Sequence, residues 1–321
     1  MTRYLSRVRA SLHVRKQFSI VPAAVLLGFV AGGCGEPWLE EPDVPLEARS
    51  ESSRLEGDNG FSLNGLSNNG MGTNGMGTNG LGTSGLSISS MNSPTFVDWF
   101  NQDPSLADMV MRYTVMCAVA AGSSRTWTNP TTGLQYTWPG RLGLTPGWAS
   151  GTPSTELEQQ VITACLAAHT NKYGIHVPFS IQGLGATGVP IPVDLLEFLT
   201  FLRREACFFG NIFRDEGVFA GSDSLWSSTS SSVRACGLEV PGSGDQCAPI
   251  QQVEHCSEIC TPDPANNFFL SCTHNGKSYR AMTTRIRTLD IFICGDGVCQ
   301  VSESCGTGLT PNNCMDCGSC L

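Results

Sequence analysis

Charged side chains are scarce in this chain of 321 residues, since Asp, Glu, Lys and Arg together make up 15% of it. A typical soluble domain has about 25%. Basic residues are the scarcer sign, with 19 Lys and Arg against 28 Asp and Glu. Because an acidic protein is repelled by nucleic acid and by anionic lipid, neither is an expected partner. No apolar run reaches the roughly 20 residues that span a bilayer.

Familiar catalytic motifs are also missing from the sequence. It has no Gly-x-Ser-x-Gly nucleophile elbow, no His-Glu-x-x-His helix, no EF-hand spacing and no glycine-rich phosphate loop of the usual form. The residues therefore identify no reaction. A secreted-type hydrolase with scattered site residues stays open as one hypothesis, but the sequence leans away from an enzyme.

The start of the chain has the order of a secretory signal peptide. Residues 1–17 carry five basic side chains and no acidic one. Residues 18–30 are almost entirely apolar, and the small residues Ala31, Gly32 and Gly33 follow. Basic, apolar and small segments in this order are typical of an export signal that is later removed.

The junction after these small residues resembles the lipobox of bacterial lipoproteins, although Ala31 stands where the family usually has Leu. The resemblance implies that Cys34 is acylated, becomes the first mature residue and holds the protein on a membrane. Gly35 is not the Asp that usually retains family members in the inner membrane, so we expect the outer membrane. The alternative is an ordinary signal peptide with Cys34 in a disulfide.

The chain has 15 cysteines, and 11 of them lie between Cys236 and Cys320. In an exported protein this density predicts a disulfide framework. Without Cys34 the number is even, which predicts about seven bridges and no free catalytic thiol. The cysteines expected in disulfides are Cys117, Cys165, Cys207, Cys236, Cys247, Cys256, Cys260, Cys272, Cys294, Cys299, Cys305, Cys314, Cys317 and Cys320.

A metal site built on thiolates would compete with this disulfide framework for the same cysteines. An iron–sulfur site at Cys314–Cys320 and a zinc site at His255–Cys260 both need reduced thiolates, which an oxidising location disfavours. Calcium takes oxygen ligands and coexists with disulfides. Its candidate ligands are Asp296, Glu303 and Asp316, and the alternative is three solvated carboxylates. No other cofactor is expected.

Composition divides the chain into four parts. Residues 35–60 are acidic and contain proline. A five-residue repeat of Asn-Gly followed by Leu or Met runs through residues 64–88, with Ser84 in place of Asn in the last unit. We interpret the repeat as a linker, with a short β-solenoid as the alternative. The expected parts are a signal peptide (1–33), a tether and linker (34–93), a globular domain (94–290) and a cysteine-rich module (291–321).

Periodicity in the globular part predicts an α+β domain with about three main helices. One helix begins at Asp103-Pro104, a second begins at Thr152-Pro153 and ends by Gly174, and a third spans about 193–209. The third helix is expected to bury Leu195, Phe198, Leu199, Leu202 and Ala206.

Short antiparallel hairpins are expected between and after these helices. Alternating aromatics predict a hairpin over residues 127–138, and the turn Asn275-Gly276 predicts another between strands at 268–273 and 277–284. Residues 175–181 alternate as well, and Pro178 places them on an edge strand. A strip of Arg280, Arg285 and Arg287 is expected on a later strand, either to contact an acidic partner or to block edge pairing.

Cys117 and Cys165 both lie on apolar helix faces, so we predict a bridge between the first two helices. A nucleophilic pair of Cys165 with His169, four residues later, is the disfavoured alternative.

Four aromatic residues lie within 22 residues of each other: Trp127, Tyr136, Trp138 and Trp148. Exposed rings on a hairpin would stack on sugar faces, which makes them candidate glycan contacts. The alternative, which we favour, is that they anchor a core.

Six cysteines and few apolar residues fill the segment from Cys294 to Cys320. Such a segment needs cross-links to fold, and we expect a cysteine-knot-like module. Its Cys-Gly-Asp-Gly start resembles a small repeat of bacterial surface proteins, and the central domain resembles envelope proteins of unassigned function. These resemblances imply a lipid-anchored envelope protein with a structural or interaction role, whose partner is an envelope polysaccharide or another envelope protein. A carbohydrate-binding module is the alternative.

Overall fold

The structure, a computed structural model, describes residues 80–171, 177–223, 231–232, 236, 247–292, 299, 303–307 and 313–320. Its helices are α1 (Leu81–Ser84), α2 (Ile88–Met91), α3 (Pro94–Gln102), α4 (Pro104–Ala118), α5 (Pro146–Ala149), α6 (Glu156–Ala168), α7 (Leu195–Thr200) and α8 (Cys256–Ile259). Its strands are β1 (Ser124–Thr128), β2 (Gln135–Pro139), β3 (Ser180–Gly183), β4 (Arg203–Gly210), β5 (Val218–Ser222), β6 (Ser231–Ser232), β7 (Ile250–Gln252), β8 (Cys260–Pro262), β9 (Phe269–His274), β10 (Lys277–Arg280), β11 (Met282–Ile286), β12 (Ile291–Phe292), β13 (Ser304–Cys305) and β14 (Asn313–Cys314). The mixture of helix and strand with several disulfides confirms a disulfide-rich α+β fold.

A five-stranded sheet organises the domain, in the order β3-β11-β4-β5-β7. All neighbours are antiparallel except β5 and β7, which are parallel. Strand β3 lies at one edge, as the proline in its approach predicted. Of the strand predicted over residues 175–181, only Ser180 and Ile181 belong to β3. Residues 177–179 precede β3 without joining the sheet, and residues 175–176 lie outside the described part of the chain.

Strand β4 is buried on both faces of this sheet. Ala206 and Phe208 belong to a large core that includes α4 and α6, and α6 packs directly on β4. Cys207 and Phe209 point the other way, into a smaller core. Successive side chains of a strand point to opposite faces, so one strand supplies both cores.

The two long helices confirm their predicted starts closely. Asp103 caps α4, its carboxylate accepting from the N–H of Leu106 at 3.0 Å. Helix α6 begins three residues later than predicted, because Thr155 and Glu158 form a reciprocal capping box. The box fixes the helix start more strongly than the proline at position 153 does.

The prediction of a third long helix over residues 193–209 is wrong. Helix α7 ends at Thr200, and the chain continues as β4. A strand buried on both faces has a continuous apolar sequence, which periodicity alone does not distinguish from a helix. Leu195, Leu199 and Leu202, predicted to be buried, are exposed.

Both predicted hairpins are confirmed. Strands β1 and β2 pair antiparallel with Trp127 opposite Tyr136. Strands β9 and β10 pair around Asn275 and Gly276, whose φ angles of 49° and 74° suit a type I′ turn. The second hairpin is shorter than expected, because the chain leaves it at Ala281 and enters the five-stranded sheet as β11.

The folded region already includes residues that the sequence assigned to the linker. Leu81, Leu86 and Met91 are fully buried in the large core. The N–H of Leu86 donates to the carbonyl of Trp148 at 2.9 Å. The described fold therefore starts before residue 94, and its first turn contains the end of the pentad repeat. Cys34 and the earlier repeats lie outside the described residues.

Six disulfides join pairs of described cysteines. The predicted bridge between Cys117 and Cys165 is confirmed, with a Cα–Cα distance of 6.3 Å. It links α4 to α6 inside the large core. The other five pairs are Cys207–Cys256, Cys236–Cys247, Cys260–Cys272, Cys299–Cys317 and Cys305–Cys320. Cys314 is disulfide-bonded as well.

We expect the double variant Cys117→Ala with Cys165→Ala to lose about 4 kcal/mol of unfolding free energy, because this bridge closes a loop of 48 residues. Urea denaturation followed by tryptophan fluorescence measures the loss. The control removes Cys305 and Cys320, which close a loop of 15 residues outside both cores. Equal losses from the two double variants would contradict the central role of the α4–α6 bridge.

Candidate functional site

The aromatic residues predicted as glycan contacts lie in the core. Trp127, Trp138 and Trp148 are each at most 1% exposed, and Tyr136 is half-buried. Ring centroids of Phe100 and Trp127 are 4.8 Å apart, in an edge-to-face arrangement. The glycan interpretation of these three tryptophans is therefore corrected, because no ring face remains for a sugar, and the core interpretation fits their burial.

Each indole N–H of these tryptophans has an internal acceptor. Trp127 donates to Asn92 at 2.9 Å, Trp138 to Asp108 at 2.7 Å and Trp148 to the carbonyl of Leu81 at 2.8 Å. A buried indole normally finds such a partner. Two of the acceptors come from residues 80–93, so the hairpin and the first turns of the fold stabilise each other.

The cysteine-based site hypotheses fail for one shared reason. Cys165 lies 3.8 Å from Nδ1 of His169, but its sulfur is bonded to Cys117. Cys256 and Cys260 are bonded to other cysteines, and so are all the cysteines of the 314–320 run. A sulfur in a disulfide has no thiolate to offer to a substrate or a metal.

The predicted calcium ligands are only partly described. Asp296 lies outside the described residues. Oε2 of Glu303 lies 3.6 Å from the sulfur of Cys317, and Asp316 is in a one-turn 3₁₀ helix beside it. A calcium site in the cysteine-rich module stays a prediction.

The predicted arginine strip does not form one surface. The main-chain N–H of Arg280 donates to Gln160, and Arg287 pairs with Asp290 through two bonds of 2.8 and 2.9 Å. Arg285 is 7% exposed. Arg280 lies on β10, Arg285 lies on β11 and Arg287 follows the end of β11, so the three residues do not share one strand.

A cleft of about 360 Å³ lies beside β3. It lies between α7 and the turn of residues 263–268. Its walls combine apolar and aromatic side chains with two amides and one carboxylate, a composition typical of binding sites. The lining residues are Gln182, Ile191, Val193, Asp194, Leu195, Phe198, Asn267 and Phe268.

The turn of residues 263–268 is held by one carboxylate. Asp263 accepts hydrogen bonds from the N–H groups of Ala265, Asn267 and Phe268. Burial raises the pKa of the Asp263 carboxyl, but these three bonds lower it more, so the pKa lies below its ordinary value. Asn266 takes a left-handed conformation in this turn, with φ 54°. The turn therefore presents Asn267 and Phe268 to the cleft in a fixed position.

Two arginines lie next to the cleft on paired strands. Arg204 of β4 faces Arg285 of β11 in the sheet register. Arg204 pairs with the buried Asp223, donates to Asn266 at 3.1 Å and lies over the ring of Phe269 at 4.6 Å. Burial raises the pKa of the Asp223 carboxyl, although Arg204 lowers it. Arg204 therefore connects the turn of residues 263–268 to the sheet.

Arg285 supports the helix side of the cleft in the same way. Its guanidinium lies 5.0 Å from the ring centroid of Phe198 and donates to the carbonyl of Leu202 at 3.2 Å. Burial lowers the pKa of Arg285, and the nearby Arg204 lowers it further. Helix α7 is therefore fixed to the sheet by a buried cation.

Sequence reasoning missed this cleft entirely. Its residues come from β3, from α7 and from a turn about 70 residues later, so no local motif unites them. The run Asp263-Pro264-Ala265-Asn266-Asn267 has turn composition, which was the one available signal.

Comparisons of the chain with family models, with curated proteins and with solved structures find no match. Within the described part of the chain, every helix falls short of the length and hydropathy of a bilayer-crossing segment.

We expect Trp138→Ala to lower the unfolding free energy by about 3–5 kcal/mol, as truncation of a large buried ring does. The control is Leu134→Ala on the same hairpin, where the side chain is 59% exposed and the expected change is within about 0.5 kcal/mol. Thermal unfolding followed by circular dichroism measures both. A Trp138→Ala protein as stable as the control would contradict the core assignment.

Asp263→Ala should loosen the turn and lower the melting temperature at neutral pH. Because the pKa of Asp263 is lowered in the folded state, its contribution is present above the unfolded-state pKa of about 3.9. That contribution disappears as the pH falls through the folded-state pKa. The difference in melting temperature between wild type and variant should therefore shrink in acid. A difference that is constant from pH 7 to pH 2 would contradict this role.

Proposed function

We propose that this chain is a lipid-anchored cell-envelope protein whose folded domain has a structural or interaction role outside the cytoplasm. The observation that carries the proposal is the set of six disulfides between described cysteines, four of which belong to the two cores. Bridges of this kind form and persist in oxidising compartments, beyond the cytosol. Their presence favours export, which the leader sequence also predicts.

The proposed anchor is an acylated Cys34. Its support is the order of basic, apolar and small segments before it and the resemblance of the junction to a lipobox. Several acyl chains give stable anchoring, since each buried CH₂ contributes about 0.8 kcal/mol. With Gly35 after the cysteine, we place the protein in the outer membrane.

The proposed interaction site of the folded domain is the cleft beside β3. Its walls suit an apolar group that carries a hydrogen-bonding atom, because Ile191, Val193 and Phe268 lie close to the amides of Gln182 and Asn267. An apolar side chain on an extended segment of another envelope protein has this chemistry. The turn and α7 are both fixed to the sheet, so binding requires little ordering of the site.

The carbohydrate-binding alternative loses its main support, since the tryptophans that suggested it are buried. The hydrolase alternative gains no support from Cys165 and His169, because that cysteine is bonded. Neither is proposed further.

Cys34→Ala should abolish labelling of the protein by radioactive palmitate and release it from the membrane fraction, because the acyl chains are the proposed anchor. Labelling of cells followed by fractionation measures both. Cys305→Ala is the matched control, which should keep both the label and the membrane location. An unlabelled wild-type protein would contradict the proposal.

Gly35→Asp should move the protein from the outer to the inner membrane. This expectation rests on the lipoprotein resemblance, in which Asp after the acylated cysteine is the retention signal. Separation of the two membranes on a density gradient measures the location, with Gly35→Asn as the control. A Gly35→Asp protein that stays in the outer membrane would contradict sorting by this rule.

A further inference from the structure

In helix α7, apolar side chains face the solvent and an acidic side chain faces the protein interior. Three of its leucines face outward, and Leu202 follows two residues after its end; Leu195, Leu196, Leu199 and Leu202 are 73%, 57%, 55% and 55% exposed. Glu197 of the same helix is 2% exposed. At about 100° per residue, Glu197 lies opposite the three helical leucines. We name these four leucines the leucine face.

This face is fixed in place by contacts on its inner side. Asp194 caps α7, accepting from the N–H of Glu197 at 2.7 Å. Phe201 is buried, and the carbonyl of Leu202 accepts from Arg285. The leucines therefore remain exposed while the backbone under them is held, and an apolar surface of this kind marks a contact with a partner or a membrane.

We propose that the leucine face inserts into the surface of the membrane that holds the lipid anchor. The inference rests on the proposed function, since anchoring at Cys34 keeps the domain next to a bilayer. The 46 residues from 34 to 79 separate the anchor from the described fold, and a chain of that length can span at most about 160 Å. Contact with the bilayer is then intramolecular, so weak insertion suffices.

The net negative charge of the chain favours membrane binding through apolar side chains over binding through electrostatic attraction to lipid headgroups. The mature chain has 14 basic and 28 acidic residues, which opposes binding to anionic lipid. The four members of the leucine face are uncharged, and the acidic residue of α7 points inward. Binding should therefore occur on zwitterionic lipid and be insensitive to salt.

A membrane is favoured over a protein partner by the geometry of the face. Three of the leucines lie on a short helix and the fourth lies two residues after its end, and of the four only Leu195 lines the cleft. A protein that covered such a protruding surface would have to supply a matching groove, whereas a bilayer accepts leucine side chains of any arrangement at its interface.

The test uses the mature chain, residues 34–321, with Cys34→Ala to remove the acyl anchor, produced in an oxidising compartment. Flotation with phosphatidylcholine vesicles measures binding at low and high salt. Leu196→Glu with Leu199→Glu should lower the bound fraction at least tenfold. The control, Leu134→Glu with Leu289→Glu, changes two leucines that are 59% and 64% exposed elsewhere and should leave binding unchanged.

A second variant covers the case in which binding of the unanchored chain is too weak to detect. Leu196→Trp with Leu199→Trp places side chains that prefer membrane interfaces on the same face, and it should raise the floated fraction. If this variant also stays with the soluble protein, the inference is wrong. It is equally wrong if the Glu pair and its control lose binding alike.

Two other outcomes would overturn insertion into the membrane. If the chain is dimeric by sedimentation and Leu199→Glu makes it monomeric without affecting flotation, the occupant is a second copy. If neither lipid nor self-association depends on the face, membrane insertion is excluded. Failure of acylation at Cys34 would contradict the proposed function but leave the flotation result readable, so the two proposals fail separately.

Discussion

Burial of β4 on both of its faces is the constraint on which the rest of the structure depends. Phe208 contributes to the core under α6, and Phe209 contributes to the core under β9 and β10. Removing either core would leave a central strand with an unprotected apolar face. Each core also contains a disulfide, Cys117–Cys165 in one and Cys207–Cys256 in the other. The Cys207–Cys256 bridge joins α8 to β4 itself, whereas the Cys117–Cys165 bridge joins α4 to α6 within the layer that covers the other face.

The polar start of the same strand explains the surroundings of the cleft. Arg204 enters the sheet directly opposite Arg285, so two guanidinium groups lie near each other with limited access to water. Asp223 neutralises one of them, and aromatic rings cover both. Arg204 also donates to Asn266, and this contact positions the turn of residues 263–268. Arg285 also donates to the carbonyl of Leu202, and this contact positions the end of α7. The cleft is thus a consequence of how the sheet accommodates its arginines.

Local signals in the sequence predicted local structure well. The caps at Asp103 and near Thr155, the turn at Asn275-Gly276 and the bridge between Cys117 and Cys165 depend on a few neighbouring residues or on one helical face. The prediction of a third long helix failed because the apolar run from Leu195 into β4 is compatible with a helix as well as with a strand buried on both faces. The cleft could not be predicted, since β11 joins β4 and β3 only through pairings across about 75 to 105 residues.

The error at the third helix has a physical meaning of its own. Sequence reasoning assigned Leu195, Leu199 and Leu202 to the core because apolar spacing usually indicates a buried face, and that rule holds for α4 and α6. In α7 the spacing is present and the burial is not, while the charged Glu197 takes the inner side. Folding of the domain alone does not favour this arrangement, since exchanging the positions of a leucine and the glutamate would bury more apolar area. An arrangement that costs stability in isolation is expected where function requires it. The exposed leucines therefore indicate a contact that the isolated chain leaves incomplete, and the proposed anchor at Cys34 would bring a membrane within reach to complete it.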